Sequence, residues 1–134
     1  MNKGKIIMRK AAVNVAVIIM CLFMFAGCVR PNSLEEAISP AKLQRISDSL
    51  ASGSIYKDVK VEIKGNHVTF KYYFSTYLDN SQASRLKQAL QSSSLQDQID
   101  GMKDEFEKDY GIRPTRITFI YYNSDEQMIV KIEK

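Results

Sequence analysis

Histidine and serine side chains carry out much acid–base and nucleophilic chemistry, and this chain offers few of them in a catalytic arrangement. The only histidine, His67, follows a predicted turn at Gly65-Asn66, and no second histidine is present to complete a metal site or a catalytic triad. Three consecutive serines, Ser92–Ser94, belong to no serine–lysine nucleophile motif. We therefore interpret His67 as an exposed turn residue and the serines as helix surface.

Acidic residues are concentrated in one predicted helix. They are Asp97, Asp100, Asp104, Glu105, Glu107 and Asp109. Paired carboxylates can bind calcium or act as acid and base, but this run lacks the alternating aspartates and the glycine of a calcium loop. Asp104 and Lys108 have the i,i+4 spacing of a helix-surface ion pair. We interpret the run as a solvated helix face and, since no glycine-rich phosphate loop occurs either, expect no enzyme activity, cofactor or metal.

Cys28 is the one residue for which the sequence indicates a covalent chemistry. It directly follows Ala26 and Gly27, which end a 17-residue apolar stretch at residues 11–27. Basic residues precede that stretch: Lys3, Lys5, Arg9 and Lys10. This order is the layout of a secretory signal. The alternative is a permanent transmembrane helix, although such a helix usually needs about 20 apolar residues.

The placement of Cys28 after two small residues resembles the lipobox of bacterial lipoproteins. The resemblance implies that the signal peptide 1–27 is cleaved between Gly27 and Cys28, and that the Cys28 thiol receives a diacylglyceryl group carrying fatty acids such as palmitate. Two acyl chains give stable membrane attachment. The alternative is that Cys28 is an ordinary cysteine of the apolar stretch, like Cys21.

The rest of the chain then lies close to the extracytoplasmic face of the cell membrane. Residues 28–32 form a short tether of about 15–20 Å when extended. Four of the 19 basic residues and none of the 15 acidic residues precede Cys28, so the remaining chain is formally neutral. This balance argues against a nucleic-acid partner, which needs clustered Lys and Arg. Removal of 1–27 also leaves no second cysteine for a disulfide.

Residues 33–134 are predicted to form one α+β domain, because no linker divides them and because apolar periodicity changes between 3.6 and 2 along this range. The predicted order is helix, strand, strand, helix, strand, strand, with a four-stranded antiparallel sheet on which the helices pack. The predicted ranges are a helix from Ser33 that restarts at Pro40 and ends near Gly53, strands at 59–63 and 68–74, a helix from Asp79 to Gly111, and strands at 115–122 and 128–134. The third helical segment is alternatively two helices joined near Ser92–Ser94, where helix propensity falls.

Strict alternation places one group of large side chains on the second face of the sheet, away from the core. The group consists of Tyr73, Ile120, Tyr122 and Ile129, whereas Met128, Val130 and Ile132 are predicted to face the core. Exposed aromatic and aliphatic residues mark interaction surfaces. Two alternatives are open: the N-terminal helix covers this face, or the face binds a partner or forms a dimer contact.

Four segments follow one another along the chain: SLEEAIS, VEIKGNHVTFKY, FEKDYGI and ITFIYYNSDEQMIVKIE. Together they resemble a family of small lipoproteins, found mainly in Firmicutes, with a domain of unknown function. The resemblance covers roughly residues 33–134 and implies a fold and a location, but no activity. We expect a non-enzymatic binding domain for a protein or an envelope component. The alternatives are a small-ligand sensor or carrier, and a cell-envelope hydrolase in which Asp100 and Asp104 are catalytic.

Overall fold

The computed structural model of the chain describes residues 31–134. The predicted signal peptide 1–27, the cleavage site between Gly27 and Cys28, and the lipidation site at Cys28 lie outside these residues. Within residues 31–134, no helix is both long enough and apolar enough to cross a membrane.

Serine caps begin the two N-terminal helices, α1 (Leu34–Ala37) and α2 (Pro40–Ala51). The hydroxyls of Ser33 and Ser39 each accept a hydrogen bond at 3.3 Å from the backbone N–H three residues later. These bonds satisfy backbone donors that the first turn of a helix leaves unpaired. The predicted restart of the helix at Pro40 is confirmed, since α1 and α2 are separate helices.

The third helical segment consists of two helices, α3 (Asn80–Leu90) and α4 (Ser93–Tyr110). Asp79 begins α3 with a complete capping box, in which its carboxylate and the side chain three residues later both accept backbone N–H groups. The hydroxyl of Ser92 caps α4 by accepting the Leu95 N–H at 3.4 Å. The two-helix alternative is therefore confirmed.

Four strands form one mixed sheet in the order β1-β2-β3-β4. They are β1 (Tyr56–Lys64), β2 (His67–Phe74), β3 (Arg116–Tyr122) and β4 (Met128–Glu133). The hairpins β1–β2 and β3–β4 are antiparallel, but the central strands β2 and β3 are parallel. The predicted purely antiparallel sheet is therefore wrong. A parallel pair needs a crossover, and α3 with α4 returns the chain from the end of β2 to the start of β3.

The buried residues of all four helices pack on one face of the sheet, which we call the core face. The largest fully buried side chains of this layer are Tyr72, Tyr121, Phe70, Phe74, Phe106, Phe119, Leu34, Ile38, Leu50 and Leu86. Residues of every helix and every strand belong to this single cluster. A small void of about 10 Å³ lies between Ile46 of α2, Val61 and Phe70 of the sheet, and Phe106 of α4. The alternative in which the N-terminal helix covers the second face is therefore wrong.

One extra residue in β4 interrupts the predicted alternation. Val130 pairs with Tyr121 and Met128 pairs with Tyr122, which leaves Ile129 unpaired between them. Such a bulge reorients the side chains around it. Ile129 packs partly against the core, whereas Met128 is 60% exposed beside Tyr122. Ile129, predicted on the second face, therefore packs against the core, and Met128, predicted to face the core, lies on the second face.

Candidate binding surface

The second face of the sheet carries no helix of residues 31–134, and we call it the open face. Its members alternate with the core residues along each strand. They are Asp58, Lys60, Glu62 and Lys64 on β1; His67, Thr69, Lys71 and Tyr73 on β2; Arg116, Thr118, Ile120 and Tyr122 on β3; and Met128, Lys131 and Glu133 on β4. Three of the four predicted contact residues, Tyr73, Ile120 and Tyr122, belong to it, and Ile129 does not.

Tyr73 and Tyr122 form an aromatic pair at one end of the open face. They are direct cross-strand partners, and their ring centroids lie 4.6 Å apart with an interplanar angle of 7°. The Nζ of Lys60 lies 5.3 Å from the centroid of the Tyr73 ring, within the range of a cation–π contact. Both tyrosines are partly exposed, and Met128 lies beside Tyr122. This arrangement forms a partly exposed aromatic surface.

Ion pairs surround the centre of the open face. Lys71 Nζ lies 3.1 Å from the Glu62 carboxylate, and the hydrogen bond between them is the main cause that raises the pKa of Lys71 above its ordinary value. Lys131 and Arg116 each lie 3.8 Å from the Glu133 carboxylate. Because these pairs are partly exposed, each contributes little to stability. They place mixed charges around the aliphatic side chain of Ile120.

His67 takes part in a hydrogen-bond chain at the other end of the open face. Its Nε2 lies 2.7 Å from the Thr118 hydroxyl oxygen, and that hydroxyl donates to Glu133 at 3.3 Å. The imidazole of His67 is thus in direct side-chain contact with Thr118. Thr118 is only 2% exposed and therefore inaccessible as a nucleophile. The prediction of an exposed turn residue is wrong, because His67 is half-buried and bonded.

A groove of about 450 Å³ lies between α2 and the edge of β1. Pro40, Leu43, Gln44 and Ser47 form one wall, and residues 58–62 of β1 form the other. The Ser47 hydroxyl accepts the Val61 N–H at 3.2 Å, so α2 satisfies part of this sheet edge. The lining mixes acidic, basic and apolar side chains, which differs from the mostly apolar pockets that hold small molecules.

The two carboxylates considered for catalysis form ion pairs on the surface. Asp100 accepts a hydrogen bond from Lys134 Nζ at 2.5 Å, which is the main cause that lowers the pKa of this carboxyl. Asp104 accepts a hydrogen bond from the Arg113 guanidinium. Among residues 31–134, no group of three or more His, Cys, Asp or Glu side chains is placed to hold a metal ion.

Comparison with known proteins adds no information on this surface. No family model, no curated protein and no solved structure matches the chain.

Proposed function

We propose that this chain is a membrane-anchored lipoprotein on the extracytoplasmic face of the cell membrane, and that its domain acts by binding and catalyses no reaction. The anchor is a diacylglyceryl group on Cys28, exposed by cleavage after Gly27. Its partner is another protein or a component of the envelope. Membership of the Firmicutes lipoprotein family with a domain of unknown function is part of the same proposal.

The observation that carries this proposal is the stacked pair of Tyr73 and Tyr122 on a sheet face that no helix of residues 31–134 covers. Tyrosine is enriched in protein interfaces, because its ring buries a large area at a low cost in conformational entropy and its hydroxyl binds polar groups. Met128, 60% exposed beside Tyr122, extends this surface. A stack of this kind supplies a binding surface rather than a catalytic group.

The anchor is tested by metabolic labelling of cells that express the full chain. Incorporation of labelled palmitate is expected in the wild-type protein and is expected to disappear in Cys28→Ser. Cys21→Ser is the matched control and should be labelled like the wild type. Labelling of Cys28→Ser at the wild-type level would overturn the lipid anchor.

The contact surface is tested by photo-crosslinking in cells. A photoreactive phenylalanine analogue replaces Tyr122 on the open face or, as the control, Ala89 on the exposed side of α3. Discrete crosslinked products identified by mass spectrometry are expected only from position 122. Identical products from both positions, or none from position 122, would contradict a binding role for the open face.

A further inference from the structure

The charges along the open face of β1 alternate in sign. From one end of the strand to the other they are Asp58, Lys60, Glu62 and Lys64, which reads minus, plus, minus, plus. When this series is reversed and placed against itself, every acid meets a base. The same holds for Lys131 and Glu133 on β4, so both outer strands of the sheet share the property.

The strand register arranges the open face in four rows that run across the strands. The first row is Asp58, Tyr73, Tyr122 and Met128. The second row is Lys60, Lys71, Ile120 and Lys131. The third row is Glu62, Thr69, Thr118 and Glu133. The fourth row is Lys64, His67 and Arg116.

We propose that the open face binds the open face of a second copy of this chain, related by a two-fold axis that crosses the strands between the second and third rows. The axis lies in the plane between the two sheets. It places the first row of one copy against the fourth row of the other, and the second row against the third. This inference rests on the proposed function, because it takes the open face as the contact surface.

The axis brings opposite charges together at three kinds of position. The facing pairs are Asp58 with Lys64 of the second copy, Lys60 with Glu62 of the second copy, and Lys131 with Glu133 of the second copy. Each pair occurs twice, because a two-fold interface is self-complementary. Complementary charges in facing positions favour this arrangement over others.

The aromatic row meets cationic and aromatic partners. Tyr122 faces Arg116 of the second copy, which suits a guanidinium over a tyrosine ring. Tyr73 faces His67 of the second copy, which provides a second ring. In the centre, Ile120 lies opposite Thr118 of the second copy, whose side chain is only 2% exposed and adds little contact area. The sheets of such a pair cross at about 30°, so the pairs near the axis align better than those at the corners.

A two-fold axis parallel to the strands is disfavoured by the same residues. It would place β1 against β4 within each row, so that Lys60 meets Lys131 and Glu62 meets Glu133. Like charges that face each other in an interface cost free energy. The alternating pattern therefore selects the axis that crosses the strands.

The size of the open face predicts a dimer of modest affinity. With strands about 4.8 Å apart and a rise of about 3.3 Å per residue, the four strands and four rows cover roughly 400 Å² on each copy. This footprint is about half of the 800 Å² per partner that a standard interface buries. If both copies are anchored in one membrane, their effective concentration rises and favours pairing.

The position of α1 is compatible with two anchors in one membrane. The Glu35 N–H donates to the Gly65 carbonyl at 3.0 Å, which holds α1 at the turn between β1 and β2. Because the axis runs from β4 towards β1, both β1 edges and both α1 helices lie on the same side of the dimer. Two short tethers can therefore reach the same surface.

The test uses charge reversal in the full, lipid-anchored chain, extracted in mild detergent and measured by sedimentation equilibrium. The wild type is expected to be a reversible dimer. Lys60→Glu places two acids in facing positions, and Glu62→Lys places two bases there, so each is expected to weaken the dimer by about tenfold or more. The double variant restores opposite charges and is expected to return within about threefold of the wild type. Lys87→Glu, on the exposed surface of α3, is the matched control and should have no effect.

Rescue of dimerisation by the double variant is the decisive result, because opposite charges then face each other again across the two-fold axis. A wild type that stays monomeric at all concentrations, a double variant as weak as the single variants, or assembly beyond dimers would overturn the inference. If the chain is monomeric while position 122 still crosslinks to a different protein, the inference fails and the proposed function stands. If position 122 gives no product of any kind and no dimer forms, both fail.

Discussion

The side chain of Asn123 bonds twice to the backbone of Leu78: its Nδ2 donates to the Leu78 carbonyl and its Oδ1 accepts from the Leu78 N–H, both at 2.8 Å. Asn123 is 7% exposed and directly follows β3, whereas Leu78 lies in the loop after β2. The pair therefore locks the exit of β2 against the exit of the parallel strand beside it. It also gives a structural reason for the asparagine that follows the ITFIYY stretch of β3.

Replacing Asn123 by Ala is expected to destabilise the domain by about 2–4 kcal/mol, because it leaves the buried N–H and C=O of Leu78 without partners. Urea unfolding monitored by circular dichroism measures this loss as a lower midpoint. Gln88→Ala on the exposed side of α3 is the control and should change the free energy of unfolding by no more than about 0.5 kcal/mol. Equal midpoints for Asn123→Ala and the wild type would contradict the role of the pair.

The Asp109 carboxylate is expected to make the domain less stable at neutral pH. One oxygen each of Asp109 and of Glu105, one helical turn earlier, is buried without a hydrogen-bond partner among residues 31–134. Burial first, and then the charge of Glu105, raise the pKa of Asp109 above its ordinary value. The C-terminal end of α4, which carries partial negative charge, adds to the repulsion.

Asp109→Asn is therefore expected to be more stable than the wild type at pH 7. A raised pKa in the folded state means that the charged form costs stability above that pKa, and that the cost fades as pH falls towards the ordinary value of 3.8. The advantage of the variant should thus shrink as the solution is acidified. Asp97→Asn, exposed in the first half of α4, is the control, and it should show no stabilisation at pH 7. A constant advantage of Asp109→Asn from pH 7 to pH 4 would rule out this explanation.

The buried hydroxyl of Tyr72 is expected to be dispensable. The residue is 0% exposed, its hydroxyl has no hydrogen-bond partner among residues 31–134, and burial raises its pKa well above the ordinary value. Because an unpaired buried hydroxyl costs free energy, Tyr72→Phe should keep or increase the free energy of unfolding, by up to about 1 kcal/mol. Thermal unfolding against Tyr77→Phe, where the side chain is 59% exposed, measures the difference. A loss of more than about 1 kcal/mol would reveal a partner for the hydroxyl.

Apolar alternation was sufficient to predict the strands and to place Tyr73 and Tyr122 on the same face, because alternation reports the direction of side chains. It carries no information on whether two strands run parallel, since both kinds of pair have the same period of two. The parallel pairing of β2 and β3 arises from the path of α3 and α4. Only that pairing brings His67 next to Thr118.

The composition of the open face depended on details that the sequence does not display. The bulge in β4 reverses the predicted orientations of Met128 and Ile129. It contains no glycine or proline from which it could have been predicted. The alternating charges of β1 are visible in the sequence, but their self-complementarity has meaning only once the rows are known. The sequence could not predict which face of the sheet α2 packs against. Large side chains alternate on both faces, so the apolar side of α2 could pack on either one.

Ser47 protects the edge of the sheet, and its replacement by Ala is expected to expose that edge. The Ser47 hydroxyl accepts the Val61 N–H at 3.2 Å and donates to the Leu43 carbonyl at 2.9 Å. Loss of the acceptor leaves a buried N–H unpaired, so the domain should lose about 1–2 kcal/mol after the small gain in helix propensity from alanine. Amide hydrogen exchange should accelerate at Val61 more than elsewhere in β1, whereas Ser84→Ala on the exposed surface of α3 should leave it unchanged. Unchanged exchange at Val61 in Ser47→Ala would mean that the hydroxyl does not protect this edge.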